Sequence, residues 1–513
     1  MTFNLSQALS KYKWETTGIV ASLVLGVLAG QFGVIFVLAG VIAIIMLAFM
    51  LYRPDTTSVI ILFVLYANLA VVATKFYKVP PVLAGASFLL LIIPILNYLF
   101  VQRKGLILNQ ILLMMVMYAI TLMISGVLSG RLGESLDRII GFFVEGLILY
   151  FLVVNAVRTK EVLRKATWAL ILSGCLMGGL SMYQEFTKSY NNQFGGLAQV
   201  KESFIGTGET DFGGDQIKRK RLAGPIGSKN RYAQIMVVLL PLAFFRMLGE
   251  KNKKLKLFAA ISCIPILAGT LLTFSRGAGI TIVLLLIIMT LMRYIKVWHF
   301  ALAAILAVGV VLVAVPDYVY RTYKAIEGLT SVASNNVADA DGAVRGRATV
   351  GLAALHMFLD NPIFGVGPGL SQAYMIEYSK EGYREIDTER RAHNMYIEEL
   401  ADTGIVGFLM FMSIILYTLT SMMRLRKRYR ETHPDMAFLT AGYLLGLFGY
   451  LLTAVFLHLS YVRYFWVLIA LCGAAIHIFQ QQIKQETELA EAEAEADAEK
   501  VRLTAQSREL MYR

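Results

Sequence analysis

Long apolar runs recur along the whole chain, and they constrain the fold more than any other feature. A helix needs about 17–25 predominantly apolar residues to cross the hydrocarbon core of a bilayer. Because 57% of the 513 residues are apolar and 16% are charged, a disordered chain is excluded and a soluble enzyme is disfavoured. We predict an all-α polytopic membrane protein with about 14 transmembrane helices, within a range of about 12 to 14. The runs lie near 14–30, 34–52, 57–75, 81–101, 106–128, 139–157, 163–183, 229–248, 256–274, 278–295, 297–316, 403–423, 436–457 and 460–480.

Lysine and arginine are distributed unevenly between the loops that connect these runs. With the N-terminus inside, the short inner loops carry nineteen basic residues and the short outer loops carry six. Insertion that keeps positive loops on the cytoplasmic side produces this bias, so we expect both termini in the cytoplasm. The same loops account for the formal net charge of +13, and no nucleic-acid partner is predicted. Whether the first two runs both cross the membrane stays open, because only three residues separate them.

Two long outer loops interrupt the apolar runs. The second loop contains RGRATVGLAALHMFLD at 345–360, whose apolar spacing predicts an amphipathic helix that ends before Pro362. The acidic tail at 481–513 has no apolar face, which predicts a solvated cytoplasmic helix. A partner-binding role for this tail stays open. The predicted division is 1–183 for helices 1–7, 184–228 for the first long periplasmic loop, 229–316 for helices 8–11, 317–402 for the second long periplasmic loop with the candidate catalytic segment, 403–480 for helices 12–14, and 481–513 for the charged tail.

Ionisable side chains are scarce inside the predicted spans, and Glu145 is the main exception. Coupled transporters usually keep such groups within the membrane, because those groups are the coupling sites. Polar residues are concentrated instead in the outer loops and at the outer ends of the spans. This distribution favours a site at the outer membrane face. A transporter or flippase for an anion or a lipid-linked glycan stays open as the alternative function, as does a non-catalytic assembly role.

Basic residues on the outer side are candidates for binding an anion. The cluster KRKR at 218–221 opposes the orientation rule, so an anionic ligand or a lipid headgroup is expected to offset its charge. Arg276 lies in the tight turn TFSRG at 273–277, which would hold its planar guanidinium in place for phosphate oxygens. It could also simply extend to the interface. Arg345, Arg347 and Arg391 are further candidates.

The segment RRAHNMY at 390–396 stands where the second long loop meets the membrane. Its histidine, His393, is a residue type that titrates near neutrality and often acts as a general base. A lone histidine is nevertheless more often a structural hydrogen-bonding residue. The glycines of NPIFGVGPG at 361–369 favour a structural role, because backbone that follows a helix often needs left-handed angles. Presentation of their N–H groups to an anion is the alternative.

Together these segments resemble the O-antigen ligase and O-antigen polymerase superfamily. His393-Asn394, followed after nine residues by Gly404-Ile-Val-Gly407, is similar to the H-N-x9-G-x-x-G signature of that superfamily. The resemblance covers roughly residues 215–425, and the number of spans is weakly closer to polymerases than to ligases. The other similar segments, in the same order as in the family, are Arg221-x-x-Gly224, Asn230-x-x-Ala233, Ser275-Arg276-Gly277, Arg347, Asn361-Pro362 and Gly365-Val-Gly367.

The resemblance implies an inverting membrane glycosyltransferase of the GT-C type in the bacterial inner membrane, with a periplasmic active site and no metal or cofactor. Such enzymes transfer a glycan from undecaprenyl diphosphate to a sugar hydroxyl. The implied partners are that lipid-linked donor, a glycan or lipid A core acceptor, and the bilayer, with other polysaccharide-assembly proteins left open. Polymerase and ligase activity both remain possible. The implied site residues are His393 as the base, Asn394 as its orienting partner, and Arg221, Arg276, Arg345, Arg347 and Arg391 as ligands of the diphosphate.

Overall fold

The computed structural model describes residues 46–204, 218–298, 342–380, 391–457 and 463–511. Within these ranges the chain is helical apart from one two-stranded sheet. The first half contains α1 (Met46–Tyr52), α2 (Pro54–Tyr66), α3 (Leu69–Tyr77), α4 (Pro81–Gly85), α5 (Ile92–Leu96), α6 (Gln110–Leu128), α7 (Leu132–Phe142), α8 (Leu149–Ala156) and α9 (Lys160–Thr187). The second half contains β1 (Gln199–Phe204), β2 (Lys218–Gly224), α10 (Lys229–Gly249), α11 (Lys253–Leu271), α12 (Arg276–Leu291), α13 (Gly342–Asp360), α14 (Ser371–Tyr378), α15 (Met395–Thr432), α16 (Pro434–Ala454) and α17 (Arg463–Met511).

Eight helices in the described ranges are long and apolar enough to cross a membrane, with α7 and α8 counted as one. The number is nine if α1 and α2, which meet at a bend of 117°, form a single span. The chain is therefore a multi-pass membrane protein. Each of the eight coincides with a predicted apolar run. The predicted total of fourteen is not shown, because the runs 14–30, most of 34–52 and nearly all of 297–316 lie outside the described residues.

Three predicted runs form something other than one long helix. The run 278–295 corresponds to the sixteen-residue α12. The run 57–75 is divided at Asn68, whose backbone is left-handed (φ 59°) and whose side chain donates a hydrogen bond of 2.9 Å to the carbonyl of Pro225. The run 81–101 is divided into α4, a 3-10 segment, α5 and a π segment. Pro94 lies inside this run and lacks the N–H that a continuous helix requires.

The core of the bundle is formed around α16 and the apolar half of α17. Trp466 is fully buried and meets the ring of Phe142 edge to face, with the centroids 5.2 Å apart. Several buried tyrosine hydroxyls are hydrogen bonded to neighbouring helices, as in the pair Tyr443 and Thr167 at 2.8 Å. Such pairing is needed because an unsatisfied polar group is costly in an apolar interior.

The first long loop contains a β-hairpin that the all-α prediction did not include. β1 and β2 pair antiparallel, with Lys201 opposite Arg221. Leu222 is buried, and its N–H donates to the carbonyl of Leu272 at 3.3 Å. Side chains alternate along a strand, so Arg221 leaves the opposite face of β2 from Leu222. The hairpin is therefore docked against the end of α11.

The second long loop contains the helix predicted at 345–360, and the structure extends it to α13. This helix ends at Asp360, before Pro362, as expected from the residues. Its buried side chains form a small core with residues of the following loop and of α15. That core consists of Val350, Ala353, Ala354, Met357, Val366, Leu370, Met375, Ala392 and Ala401.

The helix α15 begins at Met395, eight residues before the predicted start of its span at 403. Asn394 causes the early start, because its side-chain oxygen accepts the N–H groups of Tyr396 at 2.9 Å and Ile397 at 3.2 Å. The helix is interrupted at Gly404, where φ is 62° and ψ is −167°. A Cβ on Gly404 would lie 2.6 Å from the nitrogen of Gly365. The two glycines therefore let the loop after α13 lie directly against the break.

Candidate functional site

The turn between α11 and α12 is held in place by Arg221 from the hairpin. Its Nε donates to the carbonyl of Thr273 at 2.6 Å, and its Nη2 donates to the carbonyl of Phe274 at 2.8 Å. Phe274 has a positive φ of 51°, which is uncommon for a residue with a side chain. The guanidinium therefore supplies donors to carbonyls at the end of α11, where positive charge is also favoured by the helix dipole.

A pocket opens at the N-terminus of α12, beside this turn. Three of the predicted arginines line it, namely Arg221, Arg276 and Arg347. Asn230 from the start of α10 and Ser275 complete its polar wall, and the pocket has a volume of about 660 Å³, part of it open to solvent. The three arginines are separated by up to 126 residues in sequence, and the hairpin, the turn and α13 bring them together.

The described residues that line this pocket include three cationic side chains and no acidic one. Arg221 and Arg276 are half-buried, and Arg347 is exposed. The first backbone N–H groups of a helix have no partner within the helix, and its N-terminus carries a partial positive charge. Guanidinium groups and a helix N-terminus both bind phosphate oxygens. The arrangement can therefore hold an anion with several oxygens.

His393 lies in a second cluster, at the N-terminus of α15. The imidazole is exposed, and the backbone of His393 is left-handed with φ 51°. The next residue, Asn394, caps α15. Two residues before His393, the Nε of Arg391 donates to Oε1 of Glu398 at 3.0 Å, and its Nη2 contacts the same oxygen. His393, Asn394 and Arg391 are not among the residues that line the arginine pocket.

The two clusters lie at the same end of the bundle. Tyr396, in the first turn of α15, donates to the carbonyl of Leu451 at 2.9 Å. Two residues further along α16, Thr453 lines the arginine pocket. Arg231 follows the pocket residue Asn230 and lies within electrostatic range of Arg391. A substrate at the N-terminus of α12 would thus be near the segment that carries His393.

Arg345 lies on α13, two residues before Arg347. Its side chain is outside the part of the chain that the structure describes. Of the five predicted arginines, three are therefore brought to one pocket, Arg391 lies in the histidine cluster, and Arg345 is located by its backbone alone.

Three buried carboxylates near His393 were missed by the sequence analysis. Glu398, Glu399 and Asp402 are each no more than 2% exposed, and all lie in the first turns of α15. The hydroxyl of Tyr118 donates to Glu399. Asp402 accepts the N–H groups of Gly369 at 2.9 Å and Ser371 at 3.0 Å. The available signal was the acidic pattern EELAD at 398–402, which falls in the predicted loop because the apolar run begins only at 403.

Comparison with known proteins agrees with the resemblance seen in the motifs. Residues 261–412 match the O-antigen ligase family model. The matched model describes a family of membrane enzymes of the glycosyltransferase type. The matching segment contains two of the pocket arginines, Arg276 and Arg347, together with His393 and the break at Gly404.

The chain is also similar to a curated relative. Over 289 residues the chain is 24% identical to the teichuronic acid biosynthesis protein TuaE of Bacillus subtilis (strain 168). The alignment covers 53% of this chain and 55% of the relative, so the chain spans about half the length of the curated relative that it matches.

Proposed function

We propose that the protein transfers a glycan from undecaprenyl diphosphate to a sugar hydroxyl at the periplasmic membrane face, with inversion and without a metal. The observation that carries the proposal is the convergence of Arg221, Arg276 and Arg347 on one pocket at the N-terminus of α12. The family model that residues 261–412 match supports a lipid-linked glycan as the substrate class. The teichuronic acid relative supports an envelope polysaccharide as the product.

The leaving group determines what the pocket must do. When the bond between the anomeric carbon and the diphosphate oxygen breaks, negative charge develops on that oxygen. Fixed cations stabilise this charge, and they cost no reorganisation during the reaction. Arg276 and Arg347 would bind the diphosphate oxygens together with the N-terminus of α12. Arg221 would contribute its charge while it holds the turn that carries Arg276.

The acceptor requires a base. Its hydroxyl oxygen forms a bond to the anomeric carbon on the side opposite the leaving diphosphate, which inverts that carbon. The hydroxyl proton passes to the imidazole of His393, which is exposed at the same end of the bundle as the pocket. Asn394 would orient the segment by capping α15. Arg345 remains a further candidate ligand of the diphosphate.

The proposal is tested with purified protein in liposomes and an undecaprenyl-diphosphate-linked repeat unit as the donor. We expect glycan transfer by the wild type, either as a ladder from the donor alone or as one product that requires an added lipid A core acceptor. The ladder would identify a polymerase, and the single product a ligase. Folded protein that gives no product under either condition, but accumulates the donor inside sealed vesicles, would contradict the proposal and favour a flippase.

A further inference from the structure

The ion pair between Arg391 and Glu398 is the starting observation. Two nitrogens of the guanidinium contact Oε1 of Glu398, with Nε at 3.0 Å. The Glu398 side chain is 3% exposed, and the Arg391 side chain is 17% exposed. Charge-assisted hydrogen bonds of this kind are stronger than neutral ones, and a buried carboxylate is costly without its partner. The Arg391 guanidinium is therefore directed into the protein by Glu398, whereas the three pocket arginines line the site of the anion.

The pair encloses a short segment that is fixed on both sides. Arg391 is fixed by Glu398, Ala392 is buried in the small core with α13, and Asn394 is fixed by its cap on α15. His393 lies between these anchors with a left-handed backbone. A residue with a side chain adopts that conformation at a cost and keeps it only where its surroundings impose it. The anchors supply that constraint.

We infer that Glu398 is a positioning residue, which acts through Arg391 to fix the backbone of His393, and that Arg391 is not a ligand of the diphosphate. The inference rests on the proposed function and deepens it. It assigns different roles to the pocket arginines and to Arg391, which the sequence analysis places together as candidate ligands of the diphosphate.

The charges around Glu398 explain why its carboxylate matters. Arg231 lies within electrostatic range of both Arg391 and Glu398, and Arg138 is a further cation near Arg231. Among the described residues, Asp402 is a carboxylate that interacts with Glu398, and it already accepts two backbone N–H groups, whereas the neighbouring Glu399 accepts the hydroxyl of Tyr118. Without the negative charge of Glu398, the repulsion between the positive charges of Arg391 and Arg231 would be less well compensated. The guanidinium would move away, and the left-handed turn at His393 would relax with it.

The test compares Glu398→Gln, Arg391→Gln and the double variant in the liposome transfer assay. We expect each single change to lower kcat by about tenfold to a hundredfold, the cost of misplacing a reacting group by roughly an ångström. The KM for the lipid-linked donor should stay within about twofold of the wild type, because donor binding is untouched. The double variant should lose no more than the single ones, because both changes break one interaction.

The surface pair of Arg131 and Glu134 provides the control, because it is also an arginine–glutamate pair with two hydrogen bonds, but both side chains are more than a third exposed. Glu134→Gln should leave kcat unchanged. A higher KM in Arg391→Gln, with no effect of Glu398→Gln, would overturn the inference and make Arg391 a ligand. If the wild type shows no transfer, this would contradict the proposed function but not the positioning role of Glu398. In that case, hydrogen exchange at 391–397 that is no faster in Glu398→Gln than in Glu134→Gln would overturn the positioning role.

Discussion

Replacement of Gly404 by alanine should separate the loop after α13 from α15. The backbone of Gly404, with φ 62° and ψ −167°, lies in a region that is essentially restricted to glycine. An added Cβ would lie 2.5 Å from the carbonyl carbon of Ile363 and 2.6 Å from the nitrogen of Gly365. Both are backbone atoms, so the contact cannot be relieved by the rotation of a side chain.

The magnitude follows from two contributions. Strain at such a backbone position costs about 1–3 kcal/mol. Separation of the segments would also break the hydrogen bond from Ile405 N to Pro362 O at 2.8 Å and that from Gly367 N to Asp402 O at 3.0 Å. Each such bond contributes about 1 kcal/mol. Gly404→Ala should therefore destabilise the protein by about 3–5 kcal/mol and should strongly reduce glycan transfer, because the loop and α13 position Arg347.

The assay is thermal unfolding in detergent, with Gly351→Ala as the control. Gly351 lies within α13, and nothing in the structure lies within 4 Å of the Cβ it would gain. Alanine there should be neutral or stabilising by up to about 1 kcal/mol. An unchanged melting temperature and unchanged transfer in Gly404→Ala would refute the account of the break.

Two further changes test how the histidine segment is held. Asp402→Asn should lower the melting temperature and the rate of transfer, because an amide cannot offer two acceptor oxygens to Gly369 N and Ser371 N; equal melting of variant and wild type would contradict this. Asn394→Ala should destabilise α15 by about 1 kcal/mol, whereas Asn394→Asp should retain the cap and most activity. Loss of activity in Asn394→Asp with normal stability would show that Asn394 contacts the substrate instead.

The spanning helices could be predicted from the sequence because one physical requirement dominates them. The side chains of a run such as 436–457 must be buried in the protein or face lipid along its whole length. The helix α16 coincides closely with this run. In the run 57–75, by contrast, polar contacts override the apolar pattern. Asn68 ends α2 through contacts with Pro225 and Arg463, which are distant in sequence and invisible in a window of apolar residues.

Part of the site could be predicted because several of its arginines occur in patterns that the sequence alone reveals. Arg276 and Arg347 occur in short motifs with a family pattern, and Arg221 opposes the charge rule for loops, so each could be found separately. Their convergence depends on the β-hairpin and on the small core beneath α13, which no single motif encodes. Glu398 was missed because its carboxylate is recognisable only through its contact with Arg391, seven residues earlier in the chain.

The central claim, that the arginine pocket holds the diphosphate, is tested most directly by binding of undecaprenyl diphosphate to the protein in nanodiscs. The comparison is between wild type, Arg276→Ala and Arg293→Ala, since Arg293 is exposed near the opposite end of α12. A charged hydrogen bond contributes about 1.5–3 kcal/mol, so Arg276→Ala should weaken binding by about tenfold to a hundredfold. Arg293→Ala should bind like the wild type. Equal affinity in all three proteins would contradict the account.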